Sequence, residues 1–276
     1  MRLERRDRTM DFDNDAILER VEELVEHRQW PQLRDLLLPL PAADIANILS
    51  ELPEDRLPLL YRLLPKELAA EVFVEMDPEQ QELLIKTFSD TELKEVLDEL
   101  YVDDTVDLIE EMPATVVKRI LQHADPETRR SVNEILKYPE DSAGSIMTTE
   151  FVDLKKNLTV ADAIKRIRRT GTDKETINIC YVTDPSRHLL GLVSIRTLLL
   201  AEEDDIIEDI MDTNVVCART MDDKEDVAQT LNKYGFLALP VVDAEDRLVG
   251  IVTVDDAMDV MEEEATEDFE RMAAIL

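Results

Sequence analysis

The second half of the chain is an internal duplication, and this constrains the fold more than any other feature. Met147–Ile167 aligns with Met211–Leu231 at a constant offset of 64 residues. Further on, Tyr181–Leu199 aligns with Pro240–Met258 at an offset of 59, so the second copy is five residues shorter in its middle. A stretch that occurs twice predicts one supersecondary unit built twice, with the two copies packed together.

Each copy has the pattern of a short strand, a capped helix, two strands joined by a turn, and a closing helix. Thr159 and Asp223 stand where the helix N-caps are expected. The runs YVTD and LPVVD, followed by GLVS and GIVT, are rich in β-branched residues and bounded by turn residues, which favours strands. We therefore predict two βαββα units packed into one domain.

The first half repeats loosely about every 12 residues between positions 40 and 137. Each repeat opens with a residue suited to a helix start and continues with paired Leu, Ile or Val residues. The opening residues are Pro41, Pro53, Pro65, Pro78, Asp90, Asp103, Pro113 and Pro126. A helix of two or three turns cannot bury its apolar face alone, so we expect the helices to stack into a superhelix.

The predicted fold class is therefore α+β multidomain. We expect a superhelix of short helices over residues 1–137, the two βαββα units over 138–200 and 201–262, and a C-terminal connecting helix from 263 to 276. The uncharged stretches are too short to span a bilayer, which needs about 20 apolar residues.

Composition argues against several classes of function. The net charge of −33 disfavours nucleic acid, because phosphate binding needs a basic surface. The two cysteines form no CxxC pair, and none of the three histidines stands at motif spacing from a nucleophile. A chain with five glycines and no glycine-rich phosphate loop is not expected to be an enzyme.

Two acidic segments stand out. Val254–Glu270 carries nine Asp or Glu residues on a predicted amphipathic helix, where like charges three or four residues apart repel by roughly 0.2–0.5 kcal/mol per pair. Solvent, basic partner residues or bound cations can offset this repulsion. In Val102–Met112, Asp103 and Asp107 share a helix face; Asp103 alone is explained as a cap, but Asp107 is not.

The duplicated half resembles a pair of cystathionine-β-synthase (CBS) domains, on its Met-(Thr/Asp)-Thr openings, its LPVVD strand and its G-x-V-(S/T) strands. Such pairs dimerise and often hold adenine nucleotides such as ATP. In nucleotide-binding copies a (Ser/Thr)-x-x-Asp segment binds the ribose. The second copy keeps it as Thr253 and Asp256, whereas the first ends in Thr197 and lacks the carboxylate.

The order of the parts, with YPEDSAGSIMT at Tyr138–Thr148 and EEEATED after the second copy, resembles the cytosolic portion of the MgtE family of magnesium channels. Family members continue into a transmembrane pore, so the resemblance implies a regulatory piece. It would lie at the cytoplasmic face of the plasma membrane, as a homodimer through its CBS domains and without inserting into the bilayer. Mg²⁺ bridging acids between domains would favour a closed state, and its loss an open one.

The resemblance carries the metal-binding role to nine acids of this chain. They are Asp103, Asp107, Asp223, Glu225, Asp256, Asp259, Glu264, Glu267 and Asp268. Gly235 departs from the pattern, because family members can carry an acid there. Mg²⁺ prefers oxygen ligands, keeps several waters and usually takes one or two carboxylates directly, which suits scattered acids.

Two other functions remain open. The first is a CBS module that senses adenine nucleotides without metal gating, which calorimetry with ATP and with Mg²⁺ would distinguish. The second is a scaffold whose superhelix binds another protein. In that case alanine at Asp107, Asp256 and Asp259 should change nothing.

Overall fold

The computed structural model describes residues 14–274, with the backbone alone at residues 14–16, 267, 268, 270, 273 and 274. The chain divides into two compact units. Unit one contains the described residues up to Leu100 together with Leu108–Asp125. Unit two contains Tyr101–Asp107 and the described residues from Pro126 onward.

In the N-terminal half of the described chain, all the regular secondary structure is helical. Its helices are α1 (Asn14–Glu26), α2 (Trp30–Leu37), α3 (Ala42–Ser50), α4 (Leu57–Tyr61), α5 (Lys66–Val74), α6 (Pro78–Thr87), α7 (Asp90–Leu97), α8 (Val102–Glu111), α9 (Ala114–His123) and α10 (Pro126–Ile135). The first residues of α8 and all of α10 belong to unit two.

The helix starts follow the predicted pattern closely. Pro41, Pro65 and Pro113 are the N-cap residues of α3, α5 and α9, and their lack of an N–H costs nothing there. Helix α7 begins with a capping box, in which Ser89 accepts from the Glu92 N–H and Glu92 accepts from the Ser89 N–H. The exception is α4, which begins at Leu57, four residues after Pro53.

Alternate helices pack together in unit one: α3 contacts α5, α5 contacts α7, and α7 contacts α9. This is the arrangement expected when short helices with one apolar face each must share a core. The rings of Tyr61, Phe73 and Phe88 meet at centroid distances of 5.4 to 6.5 Å. The Tyr61 hydroxyl donates to the Ala69 carbonyl at 2.7 Å, so its polar end is satisfied inside the core.

Unit two contains two three-stranded sheets, one for each copy of the repeat. The first is built from β1 (Val152–Lys155), β2 (Ile179–Thr183) and β3 (Leu189–Ser194), and the second from β4 (Ala218–Arg219), β5 (Ala238–Val242) and β6 (Leu248–Thr253). In both sheets the first strand runs parallel to the second, and the third is antiparallel.

The helices of unit two follow the repeat as well. They are α11 (Val160–Thr170) and α12 (Ile195–Leu200) in the first copy, a short α13 (Ile207–Ile210) between the copies, and α14 (Lys224–Tyr234) and α15 (Val254–Ala274) in the second. Thr159 caps α11 and Asp223 caps α14, which confirms both predicted N-caps. None of the helices in the described part of the chain has the length and apolar character needed to cross a bilayer.

The two copies exchange backbone hydrogen bonds through their opening segments. Thr148 pairs with Ile251 of β6, and Asp212 pairs with Leu192 of β3, each through two N–H···O bonds of 2.8 to 2.9 Å. A Cβ at Gly250 would lie 2.6 Å from the Met147 sulfur. Close packing of each opening segment on the other copy's last strand ties the copies into one body.

The YPEDSAGSIMT segment is fixed by backbone contacts to the second copy. Ala143 N donates to Asp222 O at 2.7 Å, and Gly144 N donates to Thr220 O at 2.9 Å. A Cβ at Gly144 would lie 2.5 Å from the Tyr138 ring, so only glycine fits there. The backbone of the segment between α10 and β1 is therefore held in one conformation.

Candidate metal centre

The first turn of α8 brings two acids into unit two. Asp103 is 6% exposed, and its carboxylate accepts from the Asp104 N–H at 3.0 Å. Burial raises the pKa of Asp103 well above its ordinary value, and the charges of Asp256, Asp104 and Glu175 raise it further. Burial also raises the pKa of Asp104 to about 6, although a hydrogen bond from the Tyr101 N–H opposes the shift.

A third acid reaches this region from the loop between α11 and β2. Glu175 is half-buried, and burial raises its pKa to about 8, with further contributions from Asp104 and Asp256. Its N–H donates to the Glu150 carbonyl at 2.9 Å. The Tyr101 hydroxyl donates to the Lys174 carbonyl at 3.4 Å, which holds the same loop against the start of α8.

The first turn of α15 supplies the fourth acid. Asp256 accepts from both the hydroxyl and the N–H of Thr253, so its carboxylate is fixed at the helix start. Burial raises the pKa of Asp256 to about 6, against the lowering effect of the Thr253 hydroxyl. Asp255 stands beside it and also acts on Asp104 and Glu175.

These residues form what we name the acidic cluster: Asp103, Asp104, Glu150, Glu175, Asp255 and Asp256. In the part of the chain that the structure describes, no salt bridge joins any of them to a Lys, Arg or His. Four separate segments thus bring carboxyls together in a partly dehydrated place without a neutralising side chain. Such an arrangement is unfavourable unless protons or cations supply positive charge.

The geometry defines what kind of cation fits. Within the described residues, no three His, Cys, Asp or Glu side chains lie close enough to hold a metal ion directly. Mg²⁺ dehydrates reluctantly and commonly binds through one or two carboxylates and several waters. The donor set, all carboxylate oxygens, suits a hard divalent cation and not a soft one. The charge of Asp256 acts on Asp103, and the role of these two residues as ligands of such an ion stays a prediction.

The other predicted ligands of α8 and α15 come later in the sequence of these two helices. Asp107 is exposed, one helical turn beyond Asp103. Asp259 is also exposed; burial raises its pKa, as do Asp255, Glu263 and Glu262, all on its own helix. Glu264 lies two turns beyond Asp256, roughly 12 Å along the helix. The side chains of Glu267 and Asp268 lie outside the described residues.

The predicted acids of α14 have local partners. Asp223 accepts the N-cap hydrogen bond from the Glu225 N–H at 2.9 Å. Glu225 is half-buried in the first turn of the helix. Gly235 ends α14 in the left-handed conformation, with φ of 64°, where a residue with a Cβ would be strained. The metal-binding role of Asp223 and Glu225 stays a prediction.

The predicted nucleotide residues are bonded to each other. Thr253 is 5% exposed, and its hydroxyl donates to Asp256. The first copy has the corresponding contact between the hydroxyls of Ser194 and Thr197, at 2.9 Å. Both closing helices therefore begin with a side-chain cap, but only the second copy places a carboxylate there.

Sequence reasoning missed Glu175 and Glu150 and did not place Asp104 in the site. One signal pointed to Glu175: the first copy is longer in its middle, and the extra residues lie in the loop that carries this acid. Nothing in the spacing could show that this loop lies beside α8, because about 70 residues separate them along the chain.

The comparisons with known proteins agree with this architecture. Residues 40–141 match the MgtE intracellular N domain, and residues 143–204 and 207–263 match the CBS domain. The magnesium transporter MgtE of Thermus thermophilus is 39% identical over 92% of this chain and 57% of its own length. The magnesium transporter MgtE of Bacillus subtilis is 32% identical over 94% of this chain and 58% of its own length. The chain thus spans somewhat more than half the length of these curated relatives.

Two solved structures share the fold along their whole length. The cytosolic domain of the Mg²⁺ channel MgtE in complex with ATP superposes with a TM-score of 0.83 at 37% identity, covering 88% of this chain and 99% of that one. The soluble part of a magnesium transporter also gives 0.83, at 33% identity, covering 91% of this chain and 99% of that one.

Fold and matches together define a non-enzymatic regulatory module, in which a helical intracellular N domain precedes a CBS pair. The chain belongs to the MgtE family of magnesium transporters. These matches confirm the predicted resemblance, the α+β fold class and the absence of an enzymatic role. They also support an association with ion transport, with the membrane belonging to the full-length proteins.

Proposed function

We propose that this chain senses Mg²⁺ and regulates transport through a magnesium channel. The observation that carries the proposal is the convergence of Asp103, Glu175 and Asp256 from three segments, with raised pKa values and no basic partner in the described part of the chain. A divalent cation supplies the missing positive charge. Its binding is favourable only where the carboxylates are held together.

The proposed change between a closed and an open state depends on the position of α8. Its first residues group with the CBS pair, while Leu108 onward groups with the N-terminal helices. A cation held by Asp103 and Asp256 would tie α8 to α15 and favour a compact closed state. Without the cation, the carboxylates repel each other and the open form becomes more populated. Each ion contributes only its differential affinity for the two states, so several weak sites would make the response steep.

Small-angle scattering with and without millimolar Mg²⁺ tests the proposal. We expect the radius of gyration to fall when Mg²⁺ is added to the wild-type chain. The double variant Asp103→Asn with Asp256→Asn should lose most of this response, because its neutral amides cannot attract the ion. Asp204→Asn, at an exposed acid outside the cluster, is the matched control and should respond like the wild type.

Identical scattering profiles with and without Mg²⁺ in the wild-type chain would rule out the compaction. An unchanged response in the double variant would show that the ion binds outside the acidic cluster. Circular dichroism of each variant shows whether it is folded before the comparison is made.

A second proposal concerns adenine nucleotides. It is supported by Thr253 and Asp256, which retain the ribose-binding pattern, and by the MgtE relative solved in complex with ATP. Asp256 belongs to both candidate sites, so ATP and Mg²⁺ would influence each other's binding. Calorimetry with ATP alone, Mg²⁺ alone and both would distinguish a nucleotide sensor from a metal sensor.

The partners are proposed from the family to which the chain belongs. We infer a homodimer through the CBS domains and a transmembrane pore in the full-length protein. The module would then act at the cytoplasmic face of the plasma membrane. Sedimentation equilibrium of this chain tests the dimer directly; a monomer at all concentrations would contradict it.

A further inference from the structure

Lys224 is a largely buried cation at an unfavourable position in its own helix. It is the first residue of α14, where the helix dipole disfavours a positive charge. Its side chain is nevertheless only 16% exposed. A residue that conflicts with its local element usually serves contacts made elsewhere.

Those contacts join two other segments. The Lys224 ammonium lies 3.5 Å from a carboxylate oxygen of Glu263 on α15 and 3.9 Å from one of Asp141. The Lys224 N–H also donates to the Asp141 carbonyl at 3.1 Å. One side chain thus lies between α15 and the segment that connects α10 to the first CBS copy.

The contact between Lys224 and Glu263 lies where α15 stops being buried. Ala257 and Val260 are buried, at 2% and 4% exposure, so the first two turns are held by packing. Further along, Met261 and Phe269 are 41% and 71% exposed, and packing fades. Among the α15 acids whose side chains the structure describes, Glu263 alone forms a salt bridge, and its partner is Lys224.

We propose that Lys224 is the positioning residue that holds the middle of α15 to the Asp141 segment. It acts as a resident cation and needs no bound metal. This role goes beyond the proposed Mg²⁺ sensing, because it fixes part of the acidic helix when divalent cations are absent. In addition to the packing of its first two turns, α15 is then held by Lys224 permanently, and at Asp256 when an ion is bound.

Hydrogen exchange of the full chain in EDTA tests this, using peptides that cover residues 261–266. We expect Lys224→Gln to speed exchange there about two- to five-fold, the range that a single partly exposed ion pair supports. Exchange in α14 and β5 should not change, because the backbone bond to Asp141 remains.

Matched variants separate positioning from general destabilisation. Lys233→Gln, at the exposed other end of α14, should exchange like the wild type. Lys224→Arg should retain protection, because it keeps a positive charge between Glu263 and Asp141. Unchanged exchange in Lys224→Gln would overturn the proposal, as would equal acceleration throughout unit two. Because no Mg²⁺ is present, failure of the metal proposal leaves this result unaffected.

Discussion

At the scale of single residues, the acidic cluster is defined by carboxyls whose surroundings favour the protonated form. Glu175 shows this most clearly, since its pKa is raised to about 8 by burial and by acids from three other segments. A group whose pKa is raised on folding costs stability as the pH rises from its unfolded value to its folded value. Below pH 4.5 the cost disappears, because the carboxyl is protonated in both states.

This gives a prediction for Glu175→Gln in the absence of divalent cations. The variant should be more stable than the wild type at pH 8.5 by about 1–2 kcal/mol, a figure reduced from the full shift because water screens a half-buried group. At pH 4 the difference should vanish. Urea unfolding at both pH values measures it, with the exposed Glu54→Gln as the control; a gain that does not depend on pH would contradict the assignment.

At the scale of elements, the sequence predicts the structure wherever neighbouring residues alone determine where a helix or strand begins. Both N-caps, the prolines at helix starts and the order of strands and helices in each copy follow from residue types and spacing. Glu175 could not be found this way, because its role depends on contact with α8 across a long stretch of chain. Helical spacing alone also does not show how deeply a residue is buried. It grouped Asp259 with Asp256, yet Asp259 is exposed and the charges that act on it come from its own helix α15.

The close packing of Gly144, in the segment between α10 and β1, supports a prediction at this scale. Gly144→Ala would place a Cβ 2.5 Å from the Tyr138 ring and 2.9 Å from the Thr220 carbonyl, and backbone cannot yield as a side chain can. We expect a loss of about 1–3 kcal/mol in the free energy of unfolding. Gly171→Ala, which meets a movable methyl group of Ile177, is the control; equal effects in chemical denaturation would contradict the packing.

At the scale of the whole molecule, a chain with a net charge of −33 gathers buried carboxyls at one place. In the proposed metal site, protons and divalent cations compete for the same groups. Asp104 and Asp256, with pKa values raised to about 6, and Glu175, at about 8, must lose their protons when a cation binds. Affinity for Mg²⁺ is therefore expected to increase as the pH rises.

We predict that the apparent Mg²⁺ affinity rises roughly ten-fold or more between pH 6 and pH 8.5. Calorimetry at pH 6.5 in two buffers of different ionisation enthalpy should also detect protons released on binding. Proton release should fall towards zero above pH 9, where the carboxyls are already ionised. An affinity that is constant across this range would show that the ion binds to acids with ordinary pKa values.

The central claim is that a divalent cation binds at Asp103 and Asp256. Crystals grown with Mn²⁺ in place of Mg²⁺ test it directly, because manganese gives an anomalous diffraction signal that waters and lighter ions do not. We predict an anomalous peak within the acidic cluster, with Asp103 and Asp256 contacting the ion directly or through one water. Anomalous peaks elsewhere, with none between α8 and the first turn of α15, would contradict the claim.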